Sequence, residues 1–225
     1  MNEEKLNKLR QKVQDLALEY QKKDDFTGWF EKVYSDALEH PQEIPWAKMQ
    51  PHTCLENWLK TKNISNKKAL VIGCGLGDDS EFLAKKGANV TAFDIAPSSI
   101  EWCKKRFNDS SVNYLVADLL KLDDSWKNSF DLIFESRTIQ ALPTSIRREV
   151  IEAIATLLKP KGTLLVVTRL RDTEDTPDGP PWPVSDGELS QFHEYGYEEI
   201  TRIPYSDPNN LSIKQALIEY QRKRL

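Results

Sequence analysis

Residues 70–79 read Leu-Val-Ile-Gly-Cys-Gly-Leu-Gly-Asp-Asp, and this stretch decides the fold. An apolar run that breaks into a glycine-rich turn is how a buried strand feeding a helix looks in sequence. Gly73, Gly75 and Gly77 permit a tight turn and let a ligand approach the backbone closely. The two acids that follow are the informative departure. In the dinucleotide fingerprint G-x-G-x-x-G the third glycine would fall at position 78, where this chain carries Asp78, with Asp79 next. A helix N-terminus favours negative ligands, and carboxylates placed there would repel a pyrophosphate. The charge pattern therefore disfavours NAD.

Outward from this turn the chain alternates. "ALVIG" (69–73), "NVTAFD" (89–94), "VNYLVAD" (112–118), "FDLIFES" (130–136) and "TLLVVTR" (163–169) are rich in β-branched and aromatic residues and read as buried strands. Helical patterns fall between most of them: "SEFLAKK" (80–86), "SSIEWCKKRF" (98–107) and "SIRREVIEAIATLL" (145–158). Such alternation predicts an α/β fold with a doubly wound parallel sheet covered by helices on both faces. Ser98 with Glu101, and Ser185 with Glu188, have the spacing of capping boxes. At the end of the sequence "YEEITRIPY" and "SIKQALIEYQ" are joined by "SDPNNL", too short for a crossover helix, so an antiparallel hairpin closes the sheet.

Two more acids extend the ligand site. Asp94 ends the second strand, 21 residues after Gly73, where a carboxylate accepts ribose hydroxyls, with Ile95 beside it. Asp118 ends the third strand, placed to accept from an adenine amino group, with Leu119 against the ring. Adenosine without phosphates, together with a cationic amino group for Asp78 and Asp79, describes S-adenosylmethionine. Its carboxylate can meet the backbone N–H groups of the turn.

Composition narrows the partners. The chain has 225 residues, a 39% apolar fraction and a formal net charge of −4, with both signs interspersed. That gives no electrostatic footprint for nucleic acid and no basic face for a membrane. The three cysteines, Cys54, Cys74 and Cys103, have neither zinc nor disulfide spacing, which fits a reducing cytoplasm. No apolar run reaches membrane-spanning length, and the charged N-terminus lacks a signal-peptide core. Amphipathic patterns at 3–22, 27–39 and 54–60 predict an N-terminal helical extension over residues 1–60, ahead of a cofactor-binding domain over 61–225. A monomer or weak homodimer is expected.

The chain resembles the class I S-adenosylmethionine-dependent methyltransferases over about residues 45–225. The resemblance is carried by "VIGCGLGDD", "VTAFDIAPSSIEWC", "VADLL", "FDLIFES" and "LLKPKGTLLVV". It implies a Rossmann-like seven-stranded sheet of order 3-2-1-4-5-7-6 with the last strand antiparallel. Within that class the chain is similar to the thiopurine, thiol and halide branch of small-molecule enzymes. Here "IPWAKMQPH" (44–52) compares with that branch's Pro-Trp segment, "DGPPWPVSDGELSQF" (178–192) with its Gly-Pro-Pro-aromatic loop, and "ESRTIQALP" (135–143) with the turn after its fourth strand.

The remaining candidates follow from chemistry. Methyl transfer from a sulfonium is an in-line displacement with a leaving group already activated, so positioning and water exclusion matter more than a base. Trp46 is expected to lie over the sulfonium region, although an anchoring role for the N-terminal segment fits the residue equally. Trp29, Phe30 and Tyr34 either roof the acceptor pocket or belong to the core. Glu135 and Ser136 are expected at the cofactor, and Arg137 and Thr138 at the acceptor. Arg169 and Arg171 would clamp an anionic acceptor, or else pair with Asp172, Glu174 or Asp175. Trp182 would wall the pocket. His52 is the one histidine near the cleft and a weak candidate for a base, as Arg169 is for a catalytic cation. A natural-product N- or O-methyltransferase, a macromolecular methyltransferase and a non-catalytic cofactor-binding module are the competing functions.

Overall fold

The computed structural model describes residues 3–207 and 210–224. Helices α1 (Glu3–Gln21), α2 (Gly28–Asp36) and α3 (Thr53–Leu59) precede the first strand. Alternation then begins: β1 (Lys68–Ile72), α4 (Asp78–Lys85), β2 (Asn89–Asp94), α5 (Pro97–Arg106), β3 (Asn113–Val116), β4 (Phe130–Ser136), α6 (Arg147–Leu157) and β5 (Leu158–Arg169). Helix α7 (Asp186–Glu194) and the strands β6 (Tyr197–Asp207) and β7 (Asn210–Arg222) complete the chain. The seven strands form one sheet of order β3-β2-β1-β4-β5-β7-β6, as expected. Strands β1 to β5 pair in parallel, and β7 runs antiparallel to both β5 and β6. The centre of the "SDPNNL" connection, residues 208–209, lies outside the described residues.

Strand β1 shows why the sheet is covered on both faces. Its side chains alternate between two cores, and four of its five residues are buried. Leu70 and Ile72 join Ile133, Leu164, Val166 and Ile218 beneath α6 and α7. Ala69 and Val71 join Phe134, Leu165, Val167 and Leu217 on the opposite face, with α3, α4 and α5. A third cluster seats α1 and α2 on the rim: Val13, Ala17, Trp29 and Val33 pack with Leu76, Ala96 and Trp102.

Two of three local expectations differ from the structure. The Ser98–Glu101 capping box does not form, because Pro97 opens α5 and Ala96 is its cap. Glu31 of α2 takes over that role, accepting from the Ser98 backbone N–H at 3.0 Å and from its hydroxyl at 2.5 Å. The Ser185–Glu188 box does form at the start of α7. Strand β5 begins at Leu158, earlier than its apolar run suggests, since Pro160 pushes the residues before it out of helical backbone.

Candidate active site

A cavity of about 450 Å³ opens at the carboxyl ends of β1 to β5, under a roof contributed by α1, α2 and the 45–52 segment. Open α/β sheets bind ligands at this edge, where loops leave adjacent strands.

The glycine turn enters it first. Gly73, Gly75 and Gly77 have φ of +60°, +53° and +89°, a region that side chains avoid. A Cβ on Gly73 would lie 2.4 Å from Thr138 Oγ1, and one on Gly75 would lie 3.2 Å from the Tyr34 hydroxyl. The turn is thus wedged between the chain after β4 and the roof. Gly77 stands apart from the expectation. It caps α4 behind the turn, its place fixed by φ and by Tyr114, and it does not line the cavity.

The acids each have a partner. Asp94, only 6% exposed, accepts from Gly75 N at 2.9 Å through Oδ2 and from Ala96 N at 3.0 Å through Oδ1. Burial pushes its carboxyl up to about 6, against the opposing pull of these backbone donors. Asp79 accepts from His52 N at 2.7 Å, and burial raises it to about 6 as well. Asp78 is gripped by Arg106 of α5 through two contacts of 2.8 and 3.1 Å. Asp118 caps the turn after β3, accepting from Leu120 N at 3.0 Å. All four carboxylates line the cavity, with Ile95 and Leu119 between them.

The roof is aromatic. Trp46 Nε1 donates to the Tyr34 hydroxyl at 2.9 Å, and its ring meets Trp29, Phe30 and Tyr34 edge-on at 6.1, 6.4 and 5.9 Å. These four residues line the cavity and also pack in the third core cluster. Because Tyr34 also abuts Gly75, the roof is registered to the glycine turn.

Ser136, Arg137, Thr138 and Arg169 reach the cavity from the ends of β4 and β5. His52 lines it too, with Nδ1 accepting from Cys54 N at 3.2 Å. That bond places the ring hydrogen on Nε2. Burial, with the nearby charges of Arg137 and Lys48, lowers the imidazole to about 4. A neutral ring whose lone pair is already engaged is a hydrogen-bond donor and a poor base.

Three other residues face away. Glu135 is fully buried beneath the cavity, its Oε1 accepting from the backbone N–H groups of Thr138 and Ile139. Burial raises it to about 7. It shapes the turn that carries Arg137 instead of meeting a ligand. Arg171 binds Glu188 at 2.6 Å and Pro183 O, and it pairs with none of the three acids expected for it. Trp182 is 5% exposed and turned into the protein, its N–H donating to Gln140 O at 2.7 Å. Pro180 and Pro181 form the cavity wall in its place.

The sequence reading missed the contribution of α1. Arg10, Val13 and Gln14 line the cavity, and Gln14 Nε2 donates to Pro180 O at 2.8 Å, joining α1 to the loop opposite. An apolar stripe marked α1 as a helix, but nothing in the stripe indicated which polar neighbours would look inward. Gln140, also lining the cavity, carried no sequence signal at all.

The thiopurine S-methyltransferase family model matches residues 36–221. The chain belongs to that family. It is 29% identical to a probable thiol methyltransferase 2 of Arabidopsis thaliana over 164 residues, 71% of either chain. A ubiquinone biosynthesis O-methyltransferase of Xanthomonas campestris is 36% identical over 103 residues, covering 45% of this chain and 42% of that protein. In fold the chain is similar to the N-methyltransferase NodS of Bradyrhizobium japonicum with S-adenosylhomocysteine. That match has a TM-score of 0.69 and 21% identity, and it covers 86% of this chain and 98% of the other.

The chain is therefore a class I S-adenosylmethionine-dependent methyltransferase, with S-adenosylmethionine as cofactor. The cavity suits that ligand: side-chain-free backbone at Gly73 and Gly75, four acids and no phosphate-binding cluster along the ends of β1 to β3. The cofactor supplies a methyl group on a sulfonium. Among the described residues no helix is long and apolar enough to cross a membrane.

Proposed function

We propose that this methyltransferase acts on a small acceptor with a thiol or another soft nucleophile, by in-line displacement. Asp94 takes the ribose hydroxyls, with Ile95 beside them, and Asp118 and Leu119 hold the adenine. The backbone at Gly73 and Gly75, with Asp79 and Ser136, holds the amino-acid end. Trp46 lies over the sulfonium region, where an aromatic face favours a cation. Trp29, Phe30 and Tyr34 roof the acceptor, and Arg137, Thr138 and Arg169 line its other side. Residues 1–60 form a lid on the cofactor domain of residues 61–225. The bond between Gln14 and Pro180 supports a dry cavity during transfer, since it ties α1 to the loop opposite. We place the enzyme in the cytoplasm as a monomer or weak homodimer without a nucleic-acid partner.

The observation that carries the soft-nucleophile reading is His52. Its Nδ1 is engaged by Cys54 N, leaving this histidine as a donor. A thiol is largely ionised near neutral pH once a cation stands beside it, whereas an alcohol needs a base to become a nucleophile. Arg137, lining the same cavity, is such a cation. The test is purified enzyme with labelled cofactor and the matched acceptors thiophenol, phenol and aniline. The thiol is expected to lead in kcat/KM by about tenfold or more. A lead for phenol or aniline would replace this reading with an O- or N-methyltransferase.

A further inference from the structure

Apart from Arg10 and Lys48 in the roof, the charged residues lining the cavity divide by the strand they follow. Among the described residues, every charged lining side chain that follows β1, β2 or β3 is acidic: Asp78, Asp79, Asp94 and Asp118. Those that follow β4 and β5 are basic: Arg137 and Arg169. If adenosine and the amino-acid end occupy the first half, the acceptor faces the second.

Gln140 lies in that second half, 4% exposed, and the hydrogen bonds around it fix which way its amide points. Its Oε1 accepts from Arg169 N at 2.6 Å and from the Thr168 hydroxyl at 3.2 Å. A backbone N–H can only donate, so the oxygen must sit there and Nε2 on the other side. Its main-chain oxygen accepts from Trp182 N at 2.7 Å, so the residue is held from both ends. Nε2 itself has no hydrogen bond among the described residues. Gln140 borders the cavity, so the donor left over on its amide is satisfied by what enters there, water or ligand.

We propose that Gln140 is a specificity-determining residue: its Nε2 donates to a carboxylate oxygen of the methyl acceptor, in the field of Arg137 and Arg169. The acceptor class is then a small carboxylate that carries the nucleophilic atom. A carboxylate matches the wall because it only accepts hydrogen bonds and its charge opposes the arginines. This rests on the methyltransferase reading and adds the group that the enzyme reads beside the reacting atom.

Gln140→Glu is the discriminating variant. Glutamate keeps an oxygen for Arg169 N and Thr168, and it replaces the donor with a second acceptor. Benzoate and benzyl alcohol are titrated into protein saturated with S-adenosylhomocysteine, and binding is read by calorimetry. The wild type is expected to prefer benzoate, and the variant to lose about tenfold or more of that affinity while benzyl alcohol binding stays unchanged. Equal benzoate affinity in the two proteins, or a wild-type preference for benzyl alcohol, would overturn the proposal. Should Gln140→Glu fail to fold, Gln140→Leu identifies the side-chain amide signal of residue 140 by NMR. That signal must shift in the wild type when benzoate is added, and an unmoved signal counts against the proposal. Loss of S-adenosylhomocysteine binding in the wild type would sink the methyltransferase reading and this proposal together. Intact cofactor binding with benzoate indifferent to residue 140 would sink this proposal alone.

Discussion

The ends of β1 to β3 and the ends of β4 and β5 build the same cavity by different means. In the first region the backbone does much of the shaping. Gly73 and Gly75 at positive φ make the turn, and carboxylates within two residues of a strand end are pinned by neighbouring N–H groups. In the second region the wall is assembled from distant parts: the 136–142 turn, Arg169, Pro180 and Pro181, and α1. The first can be read from local sequence because its parts are local. The second depends on how far-separated segments meet.

The sharpest break in this contrast would come from Gly73→Ala. The substitution combines a positive φ with a Cβ 2.4 Å from Thr138 Oγ1, so the turn must move. Affinity for S-adenosylhomocysteine is expected to fall by about a hundredfold or more in calorimetry, given the left-handed penalty and the displaced backbone. Binding within threefold of wild type would show that the turn is not what shapes the first region.

The pair Arg169 and Arg171 separates the second region from its support. Arg169→Leu is expected to raise the acceptor KM by about tenfold with cofactor affinity unchanged, since it removes a cation from the acceptor wall. Arg171→Leu leaves the buried Glu188 carboxylate with only Ser185 N and the more distant Arg147, and is expected to lower unfolding stability by about 2 kcal/mol in urea, with acceptor KM unchanged. Exchanged outcomes would mean that the wall has been assigned to the wrong arginine.

These arginines also mark where sequence reading stopped. Two residues apart at a strand end, they look interchangeable, yet the isolated bridge between Leu170 and Val184 turns Arg171 toward α7. Glu135 misled in the same way: a strand-end acid resembling Asp94, it faces the opposite side of the sheet and serves the turn behind it. The strand–helix alternation, the glycine turn and the acids at 78, 79, 94 and 118 were legible because charge and spacing encode them over short distances, whereas the sheet order came from the family resemblance. Gln140 was not, because its importance arises from the Arg169 N–H that orients it, 29 residues away.

A pH titration probes the first region more gently. Asp94 in the unliganded fold is raised from its usual 3.8 to about 6 by burial. Its contribution to folding is therefore full below about pH 4 and is lost as pH rises through 6. A ligand that donates to the carboxylate reverses the preference and binds the ionised form. Affinity for S-adenosylhomocysteine is expected to rise by about tenfold from pH 5 to 7 and to flatten in Asp94→Asn. An unchanged slope in the variant would assign the titration to another group, Asp79 first.

The smallest effect concerns how the roof is held. Removing the Glu31 side chain by Glu31→Ala should destabilise the fold by about 1 kcal/mol, the usual worth of a helix cap, because Glu31 on α2 caps the start of α5. A change in melting temperature with intact cofactor affinity would agree, and none at all would show that the roof does not depend on this cap.

The division of the cavity is tested most directly by a crystal structure of the enzyme with S-adenosylhomocysteine. The adenosine should lie along the ends of β1 to β3, its ribose hydroxyls on Asp94, with Arg137 and Gln140 left clear for the acceptor. Adenosine lying against Arg169 and Gln140, with Asp94 bonded only to Gly75 and Ala96, would contradict the account.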